Sequence, residues 1–150
     1  MIKFYKVNNK YGCFSNFSNH GFELDGKYWK SSEHYFQAQK FAGTPYAEEV
    51  RSAKTPMDAA KKGHDRTIPL RNDWELIKKV IMKEAVLKKF LAHSDIRDLL
   101  IATGDQEIVE ETTDDYYWGC GQNGTGGNAL GKILMDVRGV LSKSPNRYTD

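Results

Sequence analysis

The sequence predicts an α+β fold that is dominated by helix and contains a small antiparallel sheet. Apolar residues recur at helical spacing over residues 73–91, proline and glycine mark the ends of shorter helical segments, and a strand-like stretch carries an Asp-Gly turn. The 150 residues fit one domain with a single core. Because no repeat, linker or low-complexity tract interrupts them, we expect a single domain over residues 1–150.

The strands are predicted near the start of the chain. Residues 4–7 and 22–30 have strand-like composition, and Asp25-Gly26 in the second stretch favours a short hairpin, because both residues tolerate positive φ. A further strand is predicted over residues 107–112.

The helices follow, and their ends carry recognisable signals. Residues 32–41 begin after Ser31, which suits an N-cap, and end before Gly43, which suits a left-handed C-terminal cap. Pro56 and Gly63 bound another helix in the same way. The remaining helices are predicted over residues 46–54, 73–91, 95–102 and 128–141.

Composition excludes several classes of function. A net charge of +2 is too balanced for a wide nucleic-acid footprint, although a local patch suffices for a phosphorylated small molecule or one flipped base. No apolar stretch approaches the length of a membrane span, and the first ten residues lack a secretory pattern. The four histidines show no metal-ligand spacing. We therefore expect a cytoplasmic protein with reduced Cys13 and Cys120, no metal and no cofactor.

Polar residues form a stripe on the first predicted helix. Glu33, Gln37 and Lys40 share one face at spacings of four and three residues, and Phe36 and Phe41 flank it. A carboxylate and an amine in a partly apolar cleft suit proton transfer and nucleophilic attack. A solvated face with a capping acid is the alternative that this pattern leaves open.

A second polar constellation covers residues 114–128. Trp118 could stack on a base, Asp115 could engage a ribose hydroxyl or the reacting centre, and the glycine-rich segment from Gly119 leads to a helix N-terminus whose N–H groups could receive phosphate. The Rossmann pattern is not satisfied because no apolar strand precedes the glycines, and the P-loop pattern is not satisfied because the required Ser/Thr is missing. A mobile turn before a core helix is the alternative.

Taken in order, these motifs resemble the NADAR superfamily of YbiA-like proteins from about residue 4 to residue 141. The matching segments are residues 14–17, 29–41, 59–63, 68–74, 89–90, 117–119 and 128–135. The resemblance implies an enzyme whose catalytic residues are Glu33, Lys40 and Asp115. We assign substrate binding to Asn16, Phe17, Trp74, Trp118, Gly119 and Asn128, although Asn16 could equally serve a turn and Trp74 the core.

The resemblance also implies a substrate class. Members include hydrolases that remove ADP-ribose from guanine bases and N-glycosidases that act on riboflavin-pathway intermediates. We expect an N-glycosidase for a phosphorylated nucleotide-like substrate, most naturally ADP-ribosylated guanine in DNA or a nucleoside. The alternatives are 5-amino-6-(5-phosphoribosylamino)uracil-type intermediates and a non-catalytic ADP-ribose or NAD binding module. Lys40 would form a Schiff base with the sugar, or Glu33 would activate water directly.

Overall fold

A computed structural model describes residues 1–112, 115, 117–121, 124 and 126–143 of the chain. The chain folds into two compact units. The central unit is Asn16–Lys89, and the terminal unit combines Met1–Ser15 with Phe90–Asp150.

The central unit begins with a β-hairpin. Strands β2 (Phe22–Leu24) and β3 (Lys27–Trp29) pair in antiparallel register, with Phe22 opposite Trp29. Asp25 and Gly26 connect them at φ values of 56° and 75°, the two positive angles that a type I′ turn requires. The indole Nε1 of Trp29 donates to the Leu24 carbonyl at 2.9 Å, which ties the hairpin across its turn.

Four helices complete the central unit: α1 (Ser32–Gln39), α2 (Pro45–Arg51), α3 (Pro56–Gly63) and α4 (Trp74–Ala92), whose end is counted with the terminal unit. α1 packs against both α2 and α3. The hydroxyls of Ser31 and Thr55 cap α1 and α3 by accepting the N–H groups of His34 and Asp58, each at 3.1 Å. The core between these elements contains Phe22, Leu24, Trp29, Tyr35, Ala38, Phe41, Val50, Ala53, Ala59 and Ala85.

The terminal unit is built around a parallel strand pair. Strand β1 (Ile2–Phe4) pairs with β4 (Ile108–Glu110), with Ile2 opposite Ile108. Helix α6 (Ala129–Lys143) packs against β4 and also against α5 (Ser94–Ala102). The buried Arg138 side chain donates to the Thr103 hydroxyl at 2.9 Å and to the Gln106 carbonyl at 2.7 Å, so its guanidinium has hydrogen-bond partners inside the unit.

The predicted α+β class is confirmed, as are the hairpin and all six helices, which differ from the predicted bounds by a few residues. Two details differ. The first strand lies at Ile2–Phe4 rather than over residues 4–7, because Ile2 and Phe4 are buried whereas Tyr5 and Val7 are exposed. The second sheet is parallel, a pairing that the sequence did not predict. The single domain stays a prediction.

No helix among the described residues is long and apolar enough to cross a membrane. Within the part of the chain that the structure describes, neither Cys13 nor Cys120 forms a disulfide bond.

Candidate active site

The start of α1 places Glu33 in a buried position. The Glu33 N–H donates to the Asn16 carbonyl at 3.2 Å, and the Ser32 hydroxyl donates to Asn16 Oδ1 at 2.8 Å. Asn16 Nδ2 contacts the Met82 sulfur at 3.3 Å. Both ends of the Asn16 amide are thus engaged within the protein, and Asn16 holds its loop against the helix that carries Glu33. Its predicted contact with substrate stays a prediction.

The carboxylate of Glu33 is bound along the helix by Gln37. Gln37 Nε2 donates to Glu33 Oε2 at 2.7 Å, and the two residues are only 3% and 7% exposed. The predicted stripe is therefore real, and it faces the protein interior instead of forming a solvated face. A short bond from an amide to a buried carboxylate orients that group and favours its ionised form.

Lys40 lies at the end of the same stripe. It is the C-cap of α1, its backbone is still helical, and it is 5% exposed. Its Nζ makes a long hydrogen bond of 3.4 Å to the Gly63 carbonyl and lies 5.7 Å and 6.0 Å from the ring centroids of Phe36 and Trp74. The pKa of Lys40 is lowered to about 8, mainly by burial; the charges of Arg66 and Lys78 also lower it, and the charge of Glu33 opposes them.

Trp74 opens α4 beside this amine. It is buried, and its ring centroid lies 5.0 Å from that of Phe36. Two rings close to the amine provide the apolar wall that makes the protonated form costly, while their faces offset part of that cost. Its predicted role as a substrate platform stays a prediction.

The chain after α3 fixes the end of α1, and this is a contribution that the sequence analysis missed. The Arg71 N–H donates to the Lys40 carbonyl at 2.9 Å, and the Arg71 guanidinium approaches the Gln39 carbonyl at 3.4 Å while it pairs with Asp73 at 2.6 Å. Carbonyls at a helix end need partners, but that requirement does not indicate which distant residue supplies them, so no sequence signal pointed to Arg71. Lys40 is held by its backbone as well as by its side chain.

A second group of predicted residues lies in the terminal unit. Asp115 Oδ1 accepts the N–H groups of Tyr117 and Trp118 at 2.9 Å and 2.8 Å. The rings of Tyr117 and Trp118 are perpendicular, with centroids 4.7 Å apart. One oxygen of the Asp115 carboxylate therefore shapes the turn that carries Trp118, which is half-buried.

Gly119 and Asn128 have local structural reasons for their identity. A Cβ at Gly119 would lie 2.0 Å from the Thr112 methyl group, so only glycine fits. Asn128, at a φ of 52°, accepts the Glu110 N–H at 3.0 Å and donates to the Ile108 carbonyl at 2.9 Å. Both ends of its amide are therefore bonded to β4.

The start of α6 differs from the predicted phosphate site. The N–H groups of Ala129 and Leu130 donate to the carbonyls of Tyr117 and Trp118 at 2.8 Å and 3.0 Å. These two donors are already used by the preceding turn, so they are not open to a phosphate.

The glycine-rich segment also lines a cavity of about 350 Å³ within the terminal unit. Asn128 and Cys120 contribute to its wall, and the amines of Lys3 and Lys132 share it with the carboxylates of Glu107 and Glu111. Because Lys3 is paired with Glu111 at 3.4 Å, this wall does not present a field of one sign to an anion.

The structure gathers the predicted residues into two groups. The central unit holds Asn16, Phe17, Glu33, Lys40 and Trp74, with Phe17 half-buried directly after Asn16. The terminal unit holds Asp115, Trp118, Gly119 and Asn128. Asp114, Tyr116, Gln122, Asn123 and Thr125 of the second motif lie outside the described residues. Among the residues that are described, no three His, Cys, Asp or Glu side chains cluster as metal ligands would.

The chain is similar to several known proteins along most of its length. The chain is 54% identical to an N-glycosidase of Nostoc punctiforme, covering 91% of this chain and 90% of that protein. It is 47% identical to the N-glycosidase YbiA of Escherichia coli, covering 95% and 89%. The NMR structure of YbiA superposes with a TM-score of 0.90 at 45% identity, covering 99% of this chain and 89% of that chain.

A more distant relative is the chloroplastic riboflavin biosynthesis protein PYRR of Zea mays. It is 38% identical over 94% of this chain, which spans 25% of that protein. A family model described as the NADAR domain matches residues 3–142. With this match over nearly the whole sequence, the chain belongs to the NADAR domain family.

Proposed function

We propose that this chain is an N-glycosidase that hydrolyses the bond between a ribose and an exocyclic amine, and that its substrate is guanine carrying ADP-ribose, in DNA or as a nucleoside. The class of activity is that of the relatives named N-glycosidases, which share about half of the sequence over nearly its full length. The chemistry that the Glu33–Lys40 face can perform supports cleavage of a bond between ribose and an exocyclic amine, which ADP-ribosylated guanine contains.

The observation that carries the proposal is the buried amine of Lys40. With a pKa of about 8, roughly one amine in ten is neutral at pH 7, whereas at the ordinary value of 10.5 fewer than about one in a thousand would be. A neutral amine is a nucleophile toward carbon. The centroids of two aromatic rings lie 5.7 Å and 6.0 Å from this amine, and the charge of Glu33 acts on it.

The reaction then proceeds through an open sugar. The lone pair of the exocyclic nitrogen forms a protonated imine at C1′ as the C1′–O4′ bond breaks, and O4′ takes up a proton. Neutral Lys40 adds to C1′, and the π electrons return to the exocyclic nitrogen. A proton passes from Nζ to that nitrogen, the C1′–N bond breaks, and the heterocyclic amine leaves with Lys40 joined to C1′ as an iminium ion.

Glu33 is the group that we assign to the proton transfers. Its carboxylate accepts the proton from Nζ and delivers it to the departing nitrogen. Water then adds to C1′ and loses a proton to Glu33. Glu33 passes this proton to Nζ as the C1′–Nζ bond breaks, which restores the carboxylate and the neutral amine, and ring closure returns the proton of O4′ to solvent. The sum is substrate plus water giving free amine plus free sugar.

Trp118 and Asp115 are assigned contacts with the substrate in this proposal. Trp118 stacks on a planar ring of the substrate, and the Asp115 carboxylate, with one oxygen committed to the turn, offers its other oxygen to a ribose hydroxyl or to the reacting centre. In the competing mechanism Glu33 activates water against an intact ring, and charged Lys40 contacts a phosphate or hydroxyl.

A second candidate substrate has support of its own. The relative named a riboflavin biosynthesis protein favours 5-amino-6-(5-phosphoribosylamino)uracil-type intermediates, which also join ribose to an exocyclic amine. A non-catalytic ADP-ribose or NAD binding module is the remaining alternative.

The test is a side-by-side turnover assay on four substrates: ADP-ribosylated guanosine, ADP-ribosylated DNA and two 5-amino-6-(5-phosphoribosylamino)uracil-type intermediates. Higher kcat/KM for the guanine substrates supports the proposal, higher kcat/KM for the uracil compounds supports the second candidate, and binding without product supports the module. Borohydride added during turnover should trap the sugar on the peptide that contains Lys40. Lys40→Arg should abolish trapping and turnover, and Lys61→Arg, a matched change at an exposed lysine of α3, should leave both intact.

A further inference from the structure

Gln37 has one end of its amide bonded and the other end buried. Its Nε2 donates to Glu33 at 2.7 Å. Its Oε1 is buried and receives no hydrogen bond from the residues that the structure describes. A buried acceptor without a donor is costly, so its presence beside Glu33 calls for a reason other than stability.

Gly63, at the end of α3, leaves the space that the Gln37 amide occupies, and we call this contact surface the seat of the amide. A Cβ at Gly63 would lie 1.9 Å from Gln37 Oε1, so Oε1 rests against the face of Gly63 where any other residue has a side chain. Gly63 belongs to α3 and its φ is not positive, so alanine would meet no backbone strain there. The requirement for glycine at this position is therefore the space that Gln37 occupies.

The seat and the charge of Glu33 together select one orientation of the amide. If the amide turned over, its oxygen would lie 2.7 Å from the Glu33 oxygen and repel the carboxylate. The NH₂ group is thus directed at Glu33 and the oxygen at Gly63. The Gly63 carbonyl also accepts a hydrogen bond from Lys40 Nζ at 3.4 Å. Gly63 therefore contacts both Gln37 and Lys40.

We propose that Gln37 and Gly63 form a positioning pair, in which Gly63 seats the Gln37 amide so that it holds the Glu33 carboxylate ionised and fixed in orientation relative to Lys40. Gln37 contacts no reacting atom in this scheme and acts through Glu33. The inference rests on the proposed function for the meaning of Glu33, but the state of the Glu33 carboxyl can be measured without turnover.

The first experiment replaces the amide by a group of similar size that cannot donate. Gln37→Met should raise the pKa of the Glu33 carboxyl by about one unit relative to the parent chain, because a charge-assisted donor is lost. The measurement is an NMR titration of ¹³C-labelled glutamate carboxyls, with Glu33→Gln to assign the resonance. The charges of Lys40, Arg66 and Lys78 are the same in both chains.

Turnover provides the second readout. Gln37→Met should lower kcat about tenfold and change KM by less than about twofold, since the proton donor and acceptor is misplaced while substrate contacts remain. The thermal midpoint should change little, because removal of the unpaired buried Oε1 offsets the loss of the donor to Glu33. Gln39→Met, the same change at a half-exposed position two residues along α1, should alter neither the titration nor kcat.

Gly63→Ala tests the seat independently. Its methyl group must displace the Gln37 amide, so it should reproduce the Glu33 titration shift of Gln37→Met. Added to Gln37→Ala, which leaves room for the methyl group, it should produce no further shift, because Gly63 acts through Gln37. Gly139→Ala is the matched control, since a Cβ at that helical glycine meets nothing within 4 Å.

The outcomes separate the two proposals. An unchanged Glu33 titration in Gln37→Met and Gly63→Ala, or an equal shift in Gln39→Met, overturns the positioning pair even if the enzyme is active. A shifted titration in a chain that hydrolyses none of the four substrates supports the pair and removes the proposed function.

Discussion

The dependence of the reaction on pH follows directly from the buried position of Lys40. If the neutral amine attacks C1′, kcat/KM should rise about tenfold per pH unit below the pKa of Lys40, which is about 8, and then reach a plateau. If Lys40 instead serves as a cation for phosphate, kcat/KM should fall above pH 8. The two mechanisms predict opposite signs on the alkaline side.

The rising limb of this pH profile can be moved along the pH axis by a change outside the site. After burial, the charge of Arg66 is the largest cause that lowers the pKa of Lys40. Arg66 also donates to the Gly63 carbonyl at 2.9 Å, the acceptor that Lys40 Nζ uses. Arg66→Gln removes a repelling charge and a competing donor, so the limb should move to higher pH and kcat/KM at pH 7 should fall.

The assay is initial-rate hydrolysis between pH 6 and about pH 9.5 at constant ionic strength, for the parent chain, Arg66→Gln and Lys61→Gln. Lys61 is an exposed lysine of α3 and is not among the causes that act on Lys40, so its removal should leave the limb unmoved. A limb that falls above pH 8, or one that moves equally in both variants, would refute attack by Lys40.

Three further changes test other parts of the proposal. Glu33→Gln should keep the fold and lower turnover by about 10²-fold or more, and wild-type activity would remove Glu33 from the mechanism. Trp118→Ala should weaken binding of an unhydrolysed substrate analogue about 5- to 150-fold, the equivalent of about 1–3 kcal/mol of stacking, and unaltered affinity would show that Trp118 only packs. Lys40→Met should abolish turnover yet stabilise the fold by up to about 3 kcal/mol at pH 7, because the pKa decrease from 10.5 to about 8 costs roughly 1.4 kcal/mol per unit. Between pH 8 and pH 10.5 the unfolded parent chain holds the Lys40 proton that the folded chain has lost. The gain in the free energy of unfolding, measured by urea titration, should therefore be full below pH 8 and vanish toward pH 10.5. A variant that is less stable than the parent at pH 7 would contradict this.

Local signals allowed much of the fold to be predicted from the sequence. The turn of Asp25 and Gly26, the Ser31 cap and the ends of α3 each depend on a few adjacent residues whose backbone preferences are strong. The face shared by Glu33 and Lys40 follows from helical geometry alone. These features needed no knowledge of distant contacts.

The remaining features depend on contacts between residues far apart in sequence. The pairing of Ile2 with Ile108 joins the two ends of a long chain segment, and three-residue strands carry too little periodicity to reveal it. The partnership of Arg71 with the end of α1 is invisible for the same reason. Whether the helix stripe was buried or solvated was also open, because burial is decided by Gly63 and Trp74, which lie in other helices.

The amide of Asn128 has a consequence for solubility. A short strand pair has two edges, and an edge with free N–H and C=O groups invites pairing with a strand of another molecule. Asn128 occupies the Glu110 N–H and the Ile108 carbonyl, and the Cys120 N–H takes the Glu110 carbonyl at 2.9 Å. One side chain thus stands where a further strand would pair, and the glycine-rich segment that carries it screens β4 from association between molecules for as long as that segment stays folded against the sheet.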